Sequence, residues 1–542
     1  MRFLVIDRTA IALAASVVLI SGCGGDGSDE TDVGQAPSLT PAQACEGLKG
    51  FSIPATDIAL STRGAVVENA TLVAPAGSGT TAVGEFCRVT GWIAPMDRSA
   101  PSIEFSVALP STWNRKAMHL FGGGYDGSLI QGSNNVPGAS GYASPVARGY
   151  AGFGSDGGHK GGEGSFALND EALENELGDH LGKTRDAAVA VMKKRYGEGP
   201  ALTYAAGGSG GGRQAMYVAD RWPALYDGVI AYYPAWSLTA MLVNYTQTAK
   251  ALALPGAWST PAKQQLLTNA VIAACDGLDG ATDGVVSNVA ACTFDPIILR
   301  CPAGNDAGDS CLSDAQIAGF QAYSKPLSLS FALANGTRSY PAYNIFNGGM
   351  TPAMGTVAPS TPSTTNMAFA MWIGESFARY YIYKDSTFDS LTFNPSANGF
   401  TQQRLQYLSG RQDINPNLSP FASKGGKLII IHGMADPLIP AATSDEFYAR
   451  AVGAMGRDMV NSFMRYYQVP GYGHGSGAFN LSVDSLTALE GWVEGRTAPT
   501  GLVGRDANAG ANRSRPLCEY PTWPRYNGTG DGALATSFAC VL

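Results

Sequence analysis

Short apolar runs alternate with longer segments of helical periodicity over the first part of the chain. Residues 117–121 and 150–154 have the length and composition of buried strands, and residues 170–196 have the spacing of a long helix. A further apolar run at residues 201–205 precedes helical spacing at residues 214–221. Strands that alternate with helices are typical of a mainly parallel sheet with helices on both faces. The pattern therefore predicts an α/β fold.

The alternation stops at residue 235 and returns near residue 419. Residues 236–418 contain only short helical segments among stretches rich in Gly, Pro, Ser and Thr. Residues 427–431 (KLIII) are continuously apolar, as expected for a strand covered on both faces. At 542 residues the chain is also too long for one compact core. We therefore predict an α/β core built from residues 45–235 and 419–542, with residues 236–418 inserted as a lid domain.

The N-terminus has the organisation of an export signal. Two arginines precede an apolar run at residues 9–20 that is too short to span a bilayer, and Cys23 follows small residues. We predict a lipoprotein signal peptide over residues 1–22, lipidation of Cys23, and a flexible polar tether over residues 23–44. The alternative is an ordinary cleaved signal in which the cysteine is incidental.

Nine cysteines are present, and eight remain when Cys23 is set aside. An even number in an exported protein indicates disulfides, although eight cysteines allow 105 pairings. A zinc site is the competing interpretation, but neither a CxxC spacing nor a Cys/His cluster supports it. Proximity along the chain favours three pairs and leaves a fourth as the remainder: Cys275–Cys292, Cys301–Cys311, Cys518–Cys540 and Cys45–Cys87.

A glycine run, GGSGG, surrounds Ser209 between a predicted strand and a predicted helix. It matches the GxSxG pattern, in which a sharp strand-to-helix turn exposes a serine hydroxyl and leaves little room for neighbouring side chains. Because the chain has 68 glycines, a glycine-rich surface loop or a phosphate-binding loop is the alternative. A phosphate loop would require a Lys-Ser/Thr pair after its last glycine, and Arg213-Gln214 does not supply it. The pattern favours Ser209 as the nucleophile of a serine hydrolase.

A serine nucleophile needs a histidine base, and the chain has only five histidines. By elimination we select His474, which lies in a glycine-rich loop after a strand-like segment at residues 463–469. A late loop of this kind can bring a histidine over a serine at the carboxyl edge of the sheet. The alternative for His474 is a surface histidine without a catalytic role.

The histidine in turn needs a carboxylate to orient it. Asp436 follows the apolar run at residues 427–431, and the order Ser209, Asp436, His474 is that of α/β-hydrolases. A turn-forming role before Pro437 is the alternative for Asp436. Two other residues, Asp126 and Asp156, are rival acids, but their position upstream of the serine counts against them.

Backbone N–H groups must also stabilise the oxyanion of the tetrahedral intermediate. One donor is expected from Gly210, directly after the nucleophile, and the other from the glycine loop that follows the strand at residues 117–121. Within that loop we favour Gly124, with Gly123 next. A loop that merely turns is the alternative.

An acidic, glycine-kinked loop, CDGLDGATDGV, lies in the predicted lid. Its carboxylates and carbonyls are the hard oxygen ligands that Ca²⁺ prefers, although the spacing is not that of an EF-hand. A solvated acidic turn is the alternative. The predicted structural calcium site consists of the side chains of Asp276, Asp279 and Asp283 and the carbonyls of Ala281 and Val285.

Together these residues resemble the tannase and feruloyl esterase family, which includes hydrolases of mono(2-hydroxyethyl) terephthalate. The resemblance extends over most of the chain from about Cys45 to Cys540. It rests on GGSGGGRQ, GSDGGH, CDGLDGATDG, HGMADPLIP, RYYQVPGYGHG and the closing CEYP and SFAC segments. It implies an α/β-hydrolase core, a lid over the substrate, calcium in that lid, and hydrolysis of esters of aromatic acids.

One feature departs from the family pattern. Its members usually have a cysteine directly before the nucleophile and another directly after the catalytic histidine, joined by a disulfide. Here Gly208 and Gly475 occupy these positions. Because both are replaced together, no orphan thiol remains, and we expect packing alone to hold the catalytic loops.

The prediction is an exported serine esterase that cleaves feruloyl, galloyl or terephthaloyl esters through an acyl-enzyme, anchored by lipid in the cell envelope or otherwise secreted. A net charge of −8 argues against nucleic-acid binding. The alternatives are an esterase for aliphatic or polymer-derived esters, a peptidase, and an inactive surface lipoprotein that binds glycans or phenolics. Candidate substrate contacts, each with a core role as its alternative, are Trp372, Phe377, Arg379, Tyr380 and Tyr381.

Overall fold

A mixed sheet of eleven strands forms the centre of the structure, a computed structural model that describes residues 39–351, 354–364, 366–397 and 399–542. The strands of the described chain are β1 (Ser52–Ile53), β2 (Ala65–Val73), β3 (Phe86–Ile93), β4 (Ile103–Pro110), β5 (Lys116–Leu120), β6 (Ala151–Ser155), β7 (Leu202–Gly208), β8 (Gly228–Tyr232), β9 (Leu327–Ser328), β10 (Ser339–Tyr340), β11 (Lys427–Gly433), β12 (Met464–Val469), β13 (Leu481–Ser482), β14 (Val503–Asp506), β15 (Ser514–Pro516), β16 (Cys518–Glu519), β17 (Trp523–Tyr526) and β18 (Phe538–Val541). The order in the large sheet is β1-β2-β3-β4-β6-β5-β7-β8-β11-β12-β16.

Six neighbouring strands of this sheet, from β6 to β12, are parallel, and antiparallel strands flank them on both sides. The α-helices are α1 (Pro41–Glu46), α2 (Asp170–Glu174), α3 (His180–Tyr196), α4 (Gly210–Arg221), α5 (Leu238–Leu252), α6 (Pro261–Cys275), α7 (Asp314–Tyr323), α8 (Phe369–Ser376), α9 (Gly399–Gln412), α10 (Ser419–Ser423), α11 (Ala442–Met455), α12 (Arg457–Phe463) and α13 (Ser485–Val493).

Helices cover both faces of the parallel strands, as strand β11 shows. Leu428 and Ile430 pack in a cluster with Val218 of α4. Ile429 and Ile431 point to the other face and pack in a cluster with Leu489 of α13. Because side chains alternate between the faces of a strand, an uninterrupted apolar run fits this doubly covered position. The predicted α/β fold is confirmed.

The helix predicted over residues 170–196 is interrupted. A π-helical segment, Asn175–Asp179, separates α2 from α3, and Gly178 within it has φ 155° and ψ −18°. A Cβ at Gly178 would lie 2.4 Å from the Tyr217 ring, so this position requires glycine. The spacing of apolar residues does not reveal this requirement, because the Tyr217 ring that excludes a side chain at Gly178 lies on another helix.

The segment between β8 and β11 contributes no strand to the large sheet in its described part. Helix α5 packs there against α7, α8 and α9, and its hydrophobic cluster includes Leu242, Phe320 and Phe377. Strands β9 and β10 pair only with each other within the described chain. By contacts, residues 41–542 form one compact unit, and the boundaries at residues 45, 236 and 419 stay a prediction.

Four disulfides confirm the predicted pairing of the cysteines. They join Cys45 to Cys87, Cys275 to Cys292, Cys301 to Cys311 and Cys518 to Cys540. The shortest closes a separation of 10 residues and the longest one of 42, so proximity along the chain was a sound guide to the pairs. These bonds use every cysteine of the described residues, and none of them joins the loops of Gly208 and Gly475.

The predicted signal peptide (1–22), Cys23 and most of the predicted tether (23–44) lie outside the described residues. The last residues of the predicted tether are helical, since α1 begins at Pro41. The same helix contains Cys45, which is buried and disulfide-bonded. Among the helices that the structure describes, none combines the length and the apolar character needed to cross a membrane.

Candidate active site

Ser209 lies at the sharp turn between β7, which ends at Gly208, and α4, which begins at Gly210. Its backbone has φ 63° and ψ −125°. A positive φ costs a residue with a side chain roughly 1–2 kcal/mol. The conformation is held by the Ser209 N–H, which donates to Tyr232 O at 3.0 Å, and by Ser209 O, which accepts from Arg213 N at 3.0 Å. This is the strained strand-to-helix turn that the glycine run predicts.

The glycines around Ser209 are required by close approach of the backbone. A Cβ at Gly207 would lie 2.3 Å from Gly211 O, and a Cβ at Gly211 would lie 2.6 Å from Gly122 O. Real Cβ atoms do not approach other atoms this closely, so either substitution would displace the turn. The spacing of these glycines in the sequence therefore follows from the close packing of the turn.

His474 and Asp436 form a hydrogen-bonded pair at the carboxyl ends of neighbouring parallel strands. Asp436 follows β11 and His474 follows β12, and the strands pair up to Gly433 and Val469. His474 Nδ1 lies 2.8 Å from Asp436 Oδ2. With its proton on Nδ1 facing the carboxylate, the imidazole leaves Nε2 free to accept a proton.

The other oxygen of Asp436 is held by the backbone. Oδ1 accepts the N–H groups of Leu438 at 2.8 Å and Ile439 at 2.9 Å, and the residue is only 2% exposed. Both oxygens are therefore directed, one to the backbone and one to His474. The carboxylate orients the histidine and cannot easily turn away from it.

A second histidine, His432, supports this acid loop. Its Nδ1 lies 2.7 Å from Ser444 Oγ, and its Nε2 lies 2.9 Å from Ile439 O and 3.7 Å from Asp436 Oδ2. Complete burial lowers the pKa of His432, which favours the neutral ring. We assign it a supporting role, which its position at the end of an apolar strand does not by itself reveal.

The glycine loop after β5 lies against the Ser209 turn. A Cβ at Gly210 would lie 2.5 Å from Gly124 O and 3.2 Å from Gly124 N, and a Cβ at Gly123 would lie 3.8 Å from Ser209 Cβ. Among the described residues, no protein acceptor takes the N–H of Gly210 or Gly124. The structure thus brings the three predicted oxyanion-hole glycines together beside Ser209, with unpaired donors available.

The two rival acids are not partners of His474. Asp126 lies behind the glycine loop, where its Oδ2 accepts from Gln214 Nε2 at 2.9 Å and burial raises its pKa to about 7. Asp156 accepts the N–H groups of Glu104 and Gly158. Within the described chain Asp436 is the carboxylate that contacts the imidazole.

A narrow cavity of about 20 Å³ opens at Ser209. It has room for about one water molecule. In the described structure no Lys, Arg, His, Asp or Glu side chain lines it. The lining residues are Gly124, Tyr125, Ser209, Gly210, Ala235, Leu238, Met241, Tyr245, Phe369, Ile373, Leu438 and Ile439.

The lid residues predicted to contact substrate do not line this cavity. Phe377 and Tyr381 are buried in the lid core, and Arg379 pairs with Glu375 at 2.6 Å and lies over the Tyr380 ring. Trp372 faces Gly162.

The residues of α8 that line the cavity are Phe369 and Ile373, four residues apart on one face. Trp372 follows Phe369 by three residues at the edge of that face, and its ring centroid lies 6.0 Å from that of Phe369. From Phe377 to Tyr383 the helix continues with π-helical geometry, which shifts the phase of the side chains. On α5, Leu238, Met241 and Tyr245 also share one face toward the cavity. Their spacing was a usable signal, but only the fold shows which face meets Ser209.

The acidic loop is closed by hydrogen bonds from its own backbone. Asp276 Oδ1 accepts from Gly284 N at 3.0 Å and Val285 N at 3.1 Å, and Asp279 Oδ1 accepts from Ala281 N at 2.9 Å. Asp283 is paired with the guanidinium of Arg515. In the part of the chain that the structure describes, no three Asp, Glu, His or Cys side chains are arranged so that they could hold a metal ion.

Comparisons with known proteins show the family and the fold of this chain. The family model described as "Tannase and feruloyl esterase" matches residues 87–541. The chain is 35% identical to an uncharacterized esterase of Agrobacterium fabrum, over 92% of this chain and 93% of that protein. It is 28% identical to the mono(2-hydroxyethyl) terephthalate hydrolase of Piscinibacter sakaiensis, over 93% and 92% of the two chains.

The crystal structure of feruloyl esterase B from Aspergillus oryzae has the same fold. It superposes with a TM-score of 0.76 at 24% identity and covers 93% of this chain and 100% of its own. The fold class is thus that of the α/β-hydrolases, as predicted. From the family match over most of its length, this chain belongs to the tannase and feruloyl esterase family and is a carboxylic ester hydrolase.

Proposed function

We propose that this protein is an exported serine esterase that hydrolyses esters of aromatic acids through an acyl-enzyme intermediate. The observation that carries the proposal is the Asp436–His474 pair at 2.8 Å, formed at the sheet edge where Ser209 turns beside unpaired backbone donors. A small apolar cavity beside the same serine marks the side on which we expect the acyl group to bind.

In the acylation step His474 Nε2 removes the proton of Ser209 Oγ, and the alkoxide attacks the ester carbonyl carbon. The N–H groups of Gly210 and Gly124, with Gly123 as the second candidate in its loop, donate to the oxyanion. Asp436 stabilises the imidazolium that forms. No hydrogen bond joins Ser209 to His474 among the described residues; such catalytic bonds often tighten only in the complex with substrate.

The tetrahedral intermediate then collapses. His474 gives its proton to the leaving alcohol oxygen, the carbon–oxygen bond of the ester breaks, and the acyl group stays on Ser209. A water molecule repeats the sequence: His474 takes its proton, the hydroxyl attacks the acyl carbon, and the acid leaves with Ser209 reprotonated. The backbone donors hold the oxyanion in both halves.

The cavity lining favours a flat, uncharged acyl group. Tyr125 and Tyr245 contribute ring surface, and their hydroxyls already donate to Ile373 O and Leu438 O. A free carboxylate, such as that of a terephthalate half-ester, would lack a cation among the described lining residues. A cavity of about 20 Å³ cannot hold an aromatic ring, and we propose that Phe369, half-exposed at the start of α8, moves to admit one.

A substrate panel tests this preference. We expect kcat/KM for methyl ferulate to exceed that for ethyl butanoate and for a terephthalate half-ester by about tenfold or more, the effect of roughly 1.4 kcal/mol of ring contact. Phe369→Ala should reduce the ferulate-to-butanoate ratio about tenfold, and Phe400→Ala, a matched exposed aromatic outside the cavity, should leave it unchanged.

Other outcomes of the panel assign the protein differently. Equal rates on all esters would support the esterase for aliphatic or polymer-derived esters and contradict the aromatic preference. Turnover of none of them, by a folded protein that still binds phenolics or glycans, would support the binding lipoprotein. Methyl gallate completes the panel. We expect it to react more slowly than methyl ferulate, because the apolar lining offers few hydrogen-bond partners for three phenolic hydroxyls.

We further propose a structural Ca²⁺ at the acidic loop. Three carboxylates and two main-chain carbonyls fit Ca²⁺ in donor type, and the loop begins at Cys275, which is tied to Cys292. The carboxylates of Asp276, Asp279 and Asp283 and the carbonyls of Ala281 and Val285 would hold the ion. In the described structure the three carboxylates are not arranged to hold an ion, and Asp283 pairs with Arg515. Binding therefore requires the carboxylates to move together and Asp283 to share or leave the arginine.

Metal removal tests the calcium proposal through stability. We expect EDTA to lower Tm by about 5 °C and excess Ca²⁺ to restore it, since a ligand that binds only the folded state stabilises it. Asp276→Asn should abolish the response, whereas Asp309→Asn, an exposed acid outside the loop, should retain it. If neither EDTA nor Ca²⁺ changes Tm, the calcium proposal is contradicted, and the ion pair between Asp283 and Arg515 stabilises the loop instead.

Export and lipid anchoring are also proposals. Four disulfides suit an oxidising compartment, and the signal-like N-terminus ends at Cys23. Expressed with its signal, the protein should fractionate with membranes, and Cys23→Ser should release it into the soluble fraction. Release of both forms to the same extent would contradict the anchor while leaving export intact.

A further inference from the structure

The Tyr233 side chain lies between the two catalytic loops and packs beside Tyr472. Its hydroxyl oxygen lies 3.1 Å from the Cβ position of Gly208 and 3.2 Å from the Cβ position of Gly475. Gly208 directly precedes the nucleophile, and Gly475 directly follows the histidine. The absence of side chains at both glycines is what admits the phenol.

Tyr233 is held firmly in this place. It directly follows β8, its N–H donates to Ile431 O at 2.8 Å, and it is only 9% exposed. Its φ of 33° lies in the left-handed region that a residue with a side chain rarely adopts. Strain of this kind persists where the surrounding structure imposes it and often marks a functional site.

The Tyr233 ring contacts the proposed base directly. The ring centroids of Tyr233 and His474 are 4.4 Å apart, with an angle of 41° between the planes. The loop that carries His474 includes Gly471, Gly475 and Gly477, all with positive φ, and backbone hydrogen bonds hold it on either side of the histidine. Asp436 fixes one edge of the imidazole, and Tyr233 packs against the ring.

We propose that Tyr233 is a positioning residue for His474, which holds the imidazole over Ser209 by packing between the two catalytic loops. This inference rests on the proposed role of His474 as the base. Tyr233 thereby ties the loops of Gly208 and Gly475 without a covalent bond. It forms no bond to substrate and transfers no proton.

Kinetics of the full-length chain test the proposal. Tyr233→Ala should lower kcat about 30-fold or more with KM changed less than about threefold, because a displacement of about 1 Å in a catalytic group can cost about 100-fold. Tyr233→Phe retains the ring and should keep kcat within about threefold of the unsubstituted protein. Tyr232→Phe removes the neighbouring hydroxyl, which lies 3.3 Å from Ser485 Oγ, and serves as the control.

A double substitution separates positioning from general destabilisation. The three atoms nearest to a Cβ at Gly208 all belong to Tyr233, the closest at 2.8 Å. Gly208→Ala should therefore displace the ring and lower kcat in the native background, about tenfold. In the Tyr233→Ala background the same change should have little further effect. Independent, multiplying effects of the two substitutions would contradict the proposal.

Two further outcomes are decisive. A folded Tyr233→Ala protein with native Tm and kcat within threefold of the unsubstituted protein would overturn the inference. If Tyr233→Ala does not fold, Tyr233→Leu, which keeps bulk without a ring, replaces it, and kcat is referred to the active fraction titrated with a phosphonate. Ser209→Ala in the same assay separates the two proposals. If this variant keeps full activity, the proposed serine mechanism is refuted, and with it the premise for a role of Tyr233.

Discussion

Replacement of Ser209 by alanine is expected to lower kcat/KM for a p-nitrophenyl ester by about 10⁴-fold or more. The hydroxyl is the only group proposed to form a bond to the acyl carbon, and loss of a serine nucleophile removes the whole covalent route. Residual hydrolysis would come from the oxyanion donors and binding alone. Stability should change little, since the turn is held by backbone hydrogen bonds of Ser209 that alanine keeps.

Covalent labelling provides an independent measurement. A fluorophosphonate should add one mass increment to the native chain, located on the peptide that contains Ser209, and none to Ser209→Ala. Ser396→Ala, at an exposed serine whose hydroxyl lies 2.8 Å from Ser330 Oγ, should label and turn over normally. Full activity of Ser209→Ala would refute the serine mechanism.

Asp436→Asn should be nearly as damaging, with kcat about 10³- to 10⁴-fold lower near neutral pH. The reason lies in the two oxygens of the carboxylate. Oδ1 accepts from Leu438 N and Ile439 N, so the asparagine carbonyl will stay there and its NH₂ group will face His474 Nδ1. That contact favours the tautomer with the proton on Nε2, which cannot accept a proton from serine.

KM and Tm distinguish this effect from a folding defect. Both should remain close to those of the unsubstituted protein, because asparagine preserves the shape and both backbone hydrogen bonds. Asp385→Asn, whose carboxylate bonds Thr387 at the surface, is the control. A kcat within tenfold of native for Asp436→Asn would show that another group orients His474.

Local backbone requirements made much of the site predictable. Gly207 and Gly211 are glycine because the turn leaves no room for a Cβ. The glycines on either side of Ser209 therefore indicate the sharp turn that a serine nucleophile needs. The carboxyl ends of parallel strands meet at one edge of a sheet, so the loops after β11 and β12 could be placed together before their contacts were known. The hydrogen bond between Asp436 and His474 agrees with that placement.

Predictions that depend on the direction of a side chain need the tertiary structure, and the substrate contacts stay predictions. The aromatic cluster after residue 371 suggested Trp372, Phe377, Arg379 and Tyr380 as substrate contacts, yet the cavity is lined from the same helix by Phe369 and Ile373. Aromatic and charged residues occur on every face of this segment, and its π-helical continuation changes the angular spacing. Composition identifies the helix but not the face that meets Ser209.

The sequence alone predicted the fold class and the disulfide pairs, which the structure confirms, and the order Ser209, Asp436, His474 of the proposed nucleophile, acid and base. These follow from hydrophobic periodicity, from proximity along the chain and from a turn that excludes side chains. Only the tertiary structure decided that the Tyr217 ring excludes a side chain at Gly178, which face of α8 lines the cavity, and that Tyr233 lies between Gly208 and Gly475. Each depends on atoms from distant segments that meet only when the sheet and its helices pack together.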